Sequence, residues 1–291
     1  MASLNDMQTK PEIIYELIIT IINVLSIVAN ILLIVTILRS KLMRNRTNMY
    51  ILNVALADLL TLIVLLIYYV DKRILRYTAS LDDHRHVQCA LTNLEICLQI
   101  LTMLFVIALA TNFIVLSACI SQGIVVVLLW NIAIVASYFN ALYCRDDLTL
   151  LQGGIYAVLM AILLLVLLGK CCQRCRRKGD STRDGAFRLN FATIFVCLCL
   201  SSWIVNVVAE FALRNETIVK HFVLAFGTSV KVGKNIALAL YLFKHNEMFK
   251  DSIMALFNCR TVRINRAESI NYASEQTSVD ISIRNEKMIP A

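Results

Sequence analysis

Asp58 closes an apolar run, Leu52-Asn-Val-Ala-Leu-Ala-Asp58, near the middle of a stretch long enough to cross a membrane. A carboxylate at that depth is costly and needs a partner or a water-filled cavity. Asn30 places a second polar group in the preceding apolar stretch, 28 positions earlier. Lys231 and Lys234 add two ammonium groups to the last such stretch, and Glu95 and Glu210 add carboxylates to two others. The chemistry open to these side chains is charge pairing inside the bilayer, a polar pathway, or a pocket facing a charged ligand. A desolvated lysine can also form a Schiff base. Outside this set the sequence holds no nucleophile-base-acid arrangement, no phosphate loop and no cluster of metal ligands. No enzyme, cofactor or metal is therefore expected. Cys171, Cys172 and Cys175 lie close together without the second ligand cluster that a zinc site needs. Beside a membrane they read as palmitoylation sites or as reduced thiols. His84 and His86, in Asp82-Asp-His-Arg-His86, could bind a metal or sense pH, and read more simply as a solvated loop.

The elements that must position these groups are membrane helices. The chain has 291 residues, 59% of them hydrophobic, with a mean hydropathy of +0.71, far too apolar for a soluble domain of this size. Seven apolar stretches reach spanning length, at roughly 14–38, 49–70, 91–120, 123–143, 152–169, 189–212 and 218–243. This predicts an all-α membrane protein: a seven-helix bundle over residues 14–243, preceded by a short segment, 1–13. In residues 244–259, Phe249, Ile253, Leu256 and Phe257 share one helical face, with Lys250 and Asp251 off it. That pattern predicts a short amphipathic helix on the membrane surface. Cys259 at its end reads as a palmitoylation site or an unmodified thiol. Residues 260–291, polar and rich in Ser, Asn and Glu, read as a disordered tail. The first apolar run is too long for a signal-peptide core and is expected to act as an uncleaved anchor.

Lysine and arginine placement sets the orientation. With the amino terminus outside, 18 of the 28 Lys and Arg residues fall on cytoplasmic segments. The net charge of +8 is then a topology signal that also favours anionic inner-leaflet lipid, and nucleic acid is not an expected partner. In this topology Cys89 and Cys144 face an oxidising compartment, where disulfides persist. Asn215-Glu-Thr217 is a glycosylation sequon on the outer side. A second sequon, Asn45-Arg-Thr47, falls on the cytoplasmic side and is expected to be unused.

Several motifs together resemble the rhodopsin-like G-protein-coupled receptors, over about residues 12 to 258. Asn30 stands at that family's first-helix asparagine, and Asn53-Val-Ala-Leu-Ala-Asp58 looks like its second-helix N-L-A-x-A-D block, with matching spacing. Arg39 to Met49 resembles the basic first inner loop of peptide and chemokine receptors. Trp130 matches the fourth-helix tryptophan, and Tyr241 and Phe249 resemble the closing tyrosine and the surface-helix phenylalanine. The resemblance implies a Cys89–Cys144 bridge, and it makes Asp58 the sodium-binding carboxylate. Met103 and Ala237 stand where the family places a serine and an asparagine around that sodium. Lys234, seven residues before Tyr241, faces the same pocket, so its ammonium is expected to replace sodium and pair with Asp58. The alternative is that Lys234 lies on another face and snorkels. Lys231 has the spacing of the retinal-bearing lysine of opsins, with Thr92 at the usual counterion position and Glu95 one turn deeper. It reads as a retinal site, as a pocket charge facing an anionic ligand, or as a structural partner of Glu95 or Glu210.

The departures are as informative. The D-R-Y region reads Ala108-Leu-Ala-Thr-Asn-Phe-Ile-Val-Leu116, the C-W-x-P region reads Cys197-Leu-Cys-Leu-Ser-Ser-Trp203, and N-P-x-x-Y becomes Ala237-Leu-Ala-Leu-Tyr241. The only prolines are Pro11 and Pro290, so the usual cause of helix kinks is missing from the predicted bundle. Two functions follow as expectations. One is an atypical receptor in the plasma membrane, binding an unidentified ligand between its helices and acting on a heterotrimeric G protein or arrestin. The other is a non-signalling, receptor-like protein that forms hetero-oligomers with other receptors. A transporter using Asp58, Lys231 and Lys234 stands third, because the repeated halves many transporters show are absent.

Overall fold

The computed structural model describes the backbone of residues 2–40, 43, 45–74, 81–111, 122–143, 146–176, 183–212 and 217–258. Side chains are described for 17–40, 43, 45, 47–68, 87–111, 123–138, 154–172, 186–209, 219–220 and 222–256. Among the described residues there are eight helices and no strand. They are α1 (Ala2–Arg39), α2 (Arg46–Ile74), α3 (Leu81–Thr111), α4 (Gln122–Tyr143), α5 (Asp146–Arg176), α6 (Arg183–Ala212), α7 (Thr217–His245) and α8 (Glu247–Asn258).

Six of these carry stretches long and apolar enough to cross a membrane: Leu17–Arg39, Thr47–Tyr68, Val87–Thr111, Gly154–Cys172, Ala186–Ala209 and Phe222–His245. The chain is a helical, multi-pass membrane protein. In α4 the apolar stretch with described side chains, Gly123–Tyr138, is shorter. Ile132, Ile134, Leu165, Leu168, Phe226 and Leu240 are each more than half exposed. That outward apolar belt would be a liability in water and suits lipid.

Helix α3 is the axis of the assembly. It packs against α2, α4, α5 and α6, while α1 packs against α2, α7 and α8, and α6 packs against α7. The helices α1, α2, α3, α5, α6 and α7 thereby close into a ring, with α4 laid against α3. The main core lies in one half of this bundle. Phe105, Leu101, Met103 and Leu109 of α3 meet Ile51 and Val54 of α2, Leu163 of α5, Phe191 and Phe195 of α6, and Leu238 and Leu242 of α7.

Two helix starts have visible causes. The Asn45 side-chain oxygen accepts from the Asn48 backbone N–H at 2.8 Å, and Asn246 caps α8 through the Phe249 N–H at 3.1 Å. Asn45, the acceptor of the second sequon, is thus occupied as a helix cap. The predicted surface helix is present as α8. Phe249 is buried in the main core, Ile253 packs against that core, and Lys250 and Asp251 are exposed. Truncating Phe249 to alanine is expected to cost about 3 kcal/mol of docking energy, as for a large buried aromatic. Deuterium uptake at residues 247–256 should then rise while α7 stays protected. Unchanged protection of α8 would mean that another contact holds it.

Two boundaries differ from expectation. Helix α1 runs back to Ala2, so the predicted amino-terminal segment is helical and Pro11 lies within a helix. One missing backbone donor did not break it. Helix α5 continues past the predicted fifth stretch, 152–169, through Lys170, Cys171 and Cys172 to Arg176, because Gly179 is the first helix breaker after it. Helix α3 is described to Thr111, and residues 112–120 of the predicted third span lie outside the described residues.

Candidate functional site: two ion pairs inside the bundle

Most polar side chains in the spans bond to their own helix. Thr36, Asn53, Thr61, Thr92, Thr111, Asn131, Ser137, Thr193, Ser201 and Thr228 each donate to the carbonyl four residues earlier. This satisfies a hydroxyl or amide in an apolar medium without fixing any neighbour. The informative bonds are those that cross between helices, because helix association in lipid lacks the hydrophobic drive and depends on packing and such bonds.

Among the described residues, two of the crossing bonds are ion pairs. Lys234 Nζ of α7 donates to Asp58 Oδ1 of α2 at 2.8 Å, with side chains 8% and 1% exposed. The expectation of a Lys234–Asp58 pair agrees with this geometry. The Thr102 hydroxyl of α3 shares its one hydrogen between its own Leu98 carbonyl at 3.0 Å and the same Asp58 oxygen at 3.3 Å, and the ammonium lies 5.2 Å from the centre of the Phe195 ring of α6. Helices α2, α3, α6 and α7 therefore meet at one buried cation. Met103, at the position compared with a serine, is buried, and the hydroxyl comes from Thr102 beside it. Asp58 Oδ2 is buried and accepts no hydrogen bond among the described residues.

The second pair lies one turn along α7. Lys231 donates to Glu95 Oε1 of α3, with side chains 32% and 16% exposed. Gln99, one turn further along α3, donates to the same oxygen at 2.7 Å. Lys231 meets Glu95, one of the two carboxylates proposed for it, and the side chain of the other, Glu210, lies outside the described residues. Helix α7 is thus tied to α2 by one lysine and to α3 by the next.

A polar stripe on α1 closes the site from the other side. Asn23 donates to the Leu62 carbonyl at 3.3 Å, and Ser26 donates to the Val232 carbonyl at 2.8 Å, so α1 is bonded to both α2 and α7. Asn30 is buried but donates to the Ser26 carbonyl at 3.2 Å, within its own helix. The sequence reading singled out Asn30 and missed Asn23 and Ser26. The spacing 23, 26, 30 on one helical face was the available signal. Elsewhere the Trp130 indole donates to Asn53 at 2.9 Å, tying α4 to α2, and Phe105 packs against the same indole.

The remaining predicted residues divide by position. Cys89 is half-buried near the start of α3, accepts from Asn93 at 3.5 Å, and is not among the free thiols. Cys144, Asn215 and Cys259 and the side chain of Cys175 lie outside the described residues. Cys171 and Cys172 are free and exposed at the end of α5. Cys97 of α3 and Cys199 of α6 are buried in the manner of packing residues, whereas Cys197 is exposed on α6. Cys119 is outside the described residues. Tyr241 stacks on Phe187 of α6, with ring centroids 5.7 Å apart, and contacts His245 at 4.7 Å.

No protein-family model matches the chain, and no curated protein matches it.

Proposed function

We propose that this chain is a divergent receptor of the rhodopsin-like class. It has seven spans, α4 included, in the plasma membrane with its amino terminus outside. A ligand enters between the helices and acts through them on a cytoplasmic heterotrimeric G protein or arrestin. The observation that carries this reading is the buried Asp58–Lys234 pair. Asp58 aligns with the sodium-binding carboxylate of that class, and an ammonium on α7 stands 2.8 Å from it. A fixed internal cation thereby does the work of an exchangeable one. The Trp130–Asn53 bond and the docking of α8 through Phe249 also suit this class. In the same reading Cys89 bridges to Cys144, Asn215 carries glycan, and Cys171, Cys172, Cys175 and Cys259 are acylation sites.

A second function has its own support. Two ion pairs tie α7 to α2 and α3, and neither α6 nor α7 contains proline. A bundle so tied, without the D-R-Y arginine, suits a partner that binds or redirects other receptors without signalling itself.

Basal G-protein dissociation separates the two. Cells expressing graded amounts of the protein are assayed across a panel of G-protein types. The receptor predicts a signal that rises with surface expression and is lost on mutating the inner ends of the helices. A flat response to every type, with surface delivery demonstrated, favours the non-signalling partner.

A further inference from the structure

The bundle is packed unevenly along its length. Between residues 101 and 110 of α3 every side chain is buried except Leu104 and Ile107, whereas between 88 and 100 only Asn93, Cys97 and Leu98 are buried. Among the described residues, the main core includes no α3 residue before Leu101 and no α7 residue before Leu238. The half in which α1, α3 and α7 begin is therefore the looser one around α3. Glu95 and Lys231 lie in that half, partly accessible, and the Asp58–Lys234 pair is buried one turn further along α7. A molecule entering from that end meets the upper pair first.

The upper pair has unused bonding capacity on both partners. Lys231 and Gln99 both donate to Oε1 of Glu95. Its Oε2 takes no hydrogen bond among the described residues. The Lys231 ammonium has three donors and one acceptor there, Glu95. An added anion would find Lys231 already neutralised and Glu95 repelling it, and an added cation meets the converse. Either would also leave a net charge in surroundings where an uncompensated ion is expensive. A molecule carrying both charges meets neither penalty. Its ammonium takes Oε2 of Glu95, its carboxylate takes the spare donors of Lys231, and four charges of alternating sign close into a neutral ring.

Resting on the reading of a ligand-binding bundle, we propose that the Glu95–Lys231 pair recognises a small zwitterion. The ligand class is one with an ammonium and a carboxylate on a shared carbon, as in an α-amino-acid head group. Gln99 is a positioning residue that keeps Glu95 turned toward Lys231.

The test is thermal unfolding of the purified protein in lipid nanodiscs. The probes are amino acids with uncharged side chains, each compared at equal ionic strength with its N-acetyl derivative, an anion, and its amide, a cation. At least one amino acid is expected to raise the unfolding temperature by a few degrees at millimolar concentration. Its two singly charged derivatives should give less than a third of that shift. No shift from any amino acid, or equal shifts from a singly charged derivative, overturns the proposal. The paired variant Glu95→Gln/Lys231→Met removes both charges together and strands neither. It should fold with a similar unfolding temperature and lose the response, and a response that survives overturns the site assignment. The readout is independent of G proteins. An amino-acid shift without signalling keeps the site and removes the receptor, whereas basal signalling without any shift keeps the receptor and removes the site.

Discussion

Replacing Lys234 with methionine is expected to collapse surface expression of this protein. The substitution is close in volume and keeps the apolar stem, so packing changes little and the loss is electrostatic. Asp58, 1% exposed, would keep only the Thr102 hydroxyl on one oxygen and nothing on the other among the described residues. Breaking a buried pair by removing one partner costs about 3–5 kcal/mol, a large share of the stability of an ordinary domain. The variant Asp58→Asn made on top of it removes the stranded charge, and should recover at least half of the lost expression. The two changes must therefore be strongly non-additive. Independent, additive losses in the four-way comparison would show that the lysine and the aspartate do not depend on one another. The same set of variants tests the role of the internal cation. The parent protein should unfold at the same temperature in sodium and in choline chloride at equal ionic strength. Lys234→Met should be the variant that gains stability from sodium, because only there is the carboxylate left without a cation.

That pair was legible in the sequence for a definite reason. Charged residues in a membrane are costly enough to need partners, and the resemblance puts Lys234, seven residues before Tyr241, at a position facing Asp58. That Lys231 meets Glu95 was not legible, because Glu95 and Glu210 both lie in apolar stretches and the sequence alone does not rank them. Thr102 was invisible for another reason. Hydroxyls in membrane helices commonly bond to their own backbone, as Thr61 and Thr92 do here, and nothing local marks the one that also reaches across. Helix positions were well predicted where apolar length decided them. The ends were not, since the apolar signal stops before the charged segment Lys170 to Arg176 while its backbone propensity allowed α5 to continue. Asn23 and Ser26 show a further limit. Small polar residues in a long apolar helix carry little cost signal, yet their spacing is what fastens α1 to α2 and α7.

Gly227 carries the second large effect, at the seam of α6 and α7. A Cβ built there would stand 2.5 Å from Asn206 Oδ1 and 3.1 Å from Val205 Cγ1. The Ser202 hydroxyl donates to the Gly227 carbonyl at 2.7 Å, so the two backbones approach closely and are bonded at the contact. Gly227→Ala must push against Val205, whose branched side chain is stiff about its first torsion, and against the Asn206 amide, whose Oδ1 is buried. The expected destabilisation is about 1–3 kcal/mol, the usual cost of overpacking, together with loss of the Ser202 bond. Helix propensity alone gives the opposite sign, since alanine is favoured over glycine in a helix interior. Gly233→Ala and Gly169→Ala are the controls. At Gly233 the nearest atom lies at 3.8 Å, an ordinary contact, and at Gly169 nothing lies within 4 Å. Both should be neutral or slightly stabilising in thermal unfolding of the purified protein. Asn206→Ala sharpens the test. Its Oδ1 is buried without a hydrogen bond among the described residues, so removing the side chain should cost little by itself. In the Gly227→Ala background it frees the space the new methyl group needs, and most of the lost stability should return. If all three glycine substitutions cost the same, or if Asn206→Ala gives no rescue, then close approach at this seam is not what holds α6 against α7.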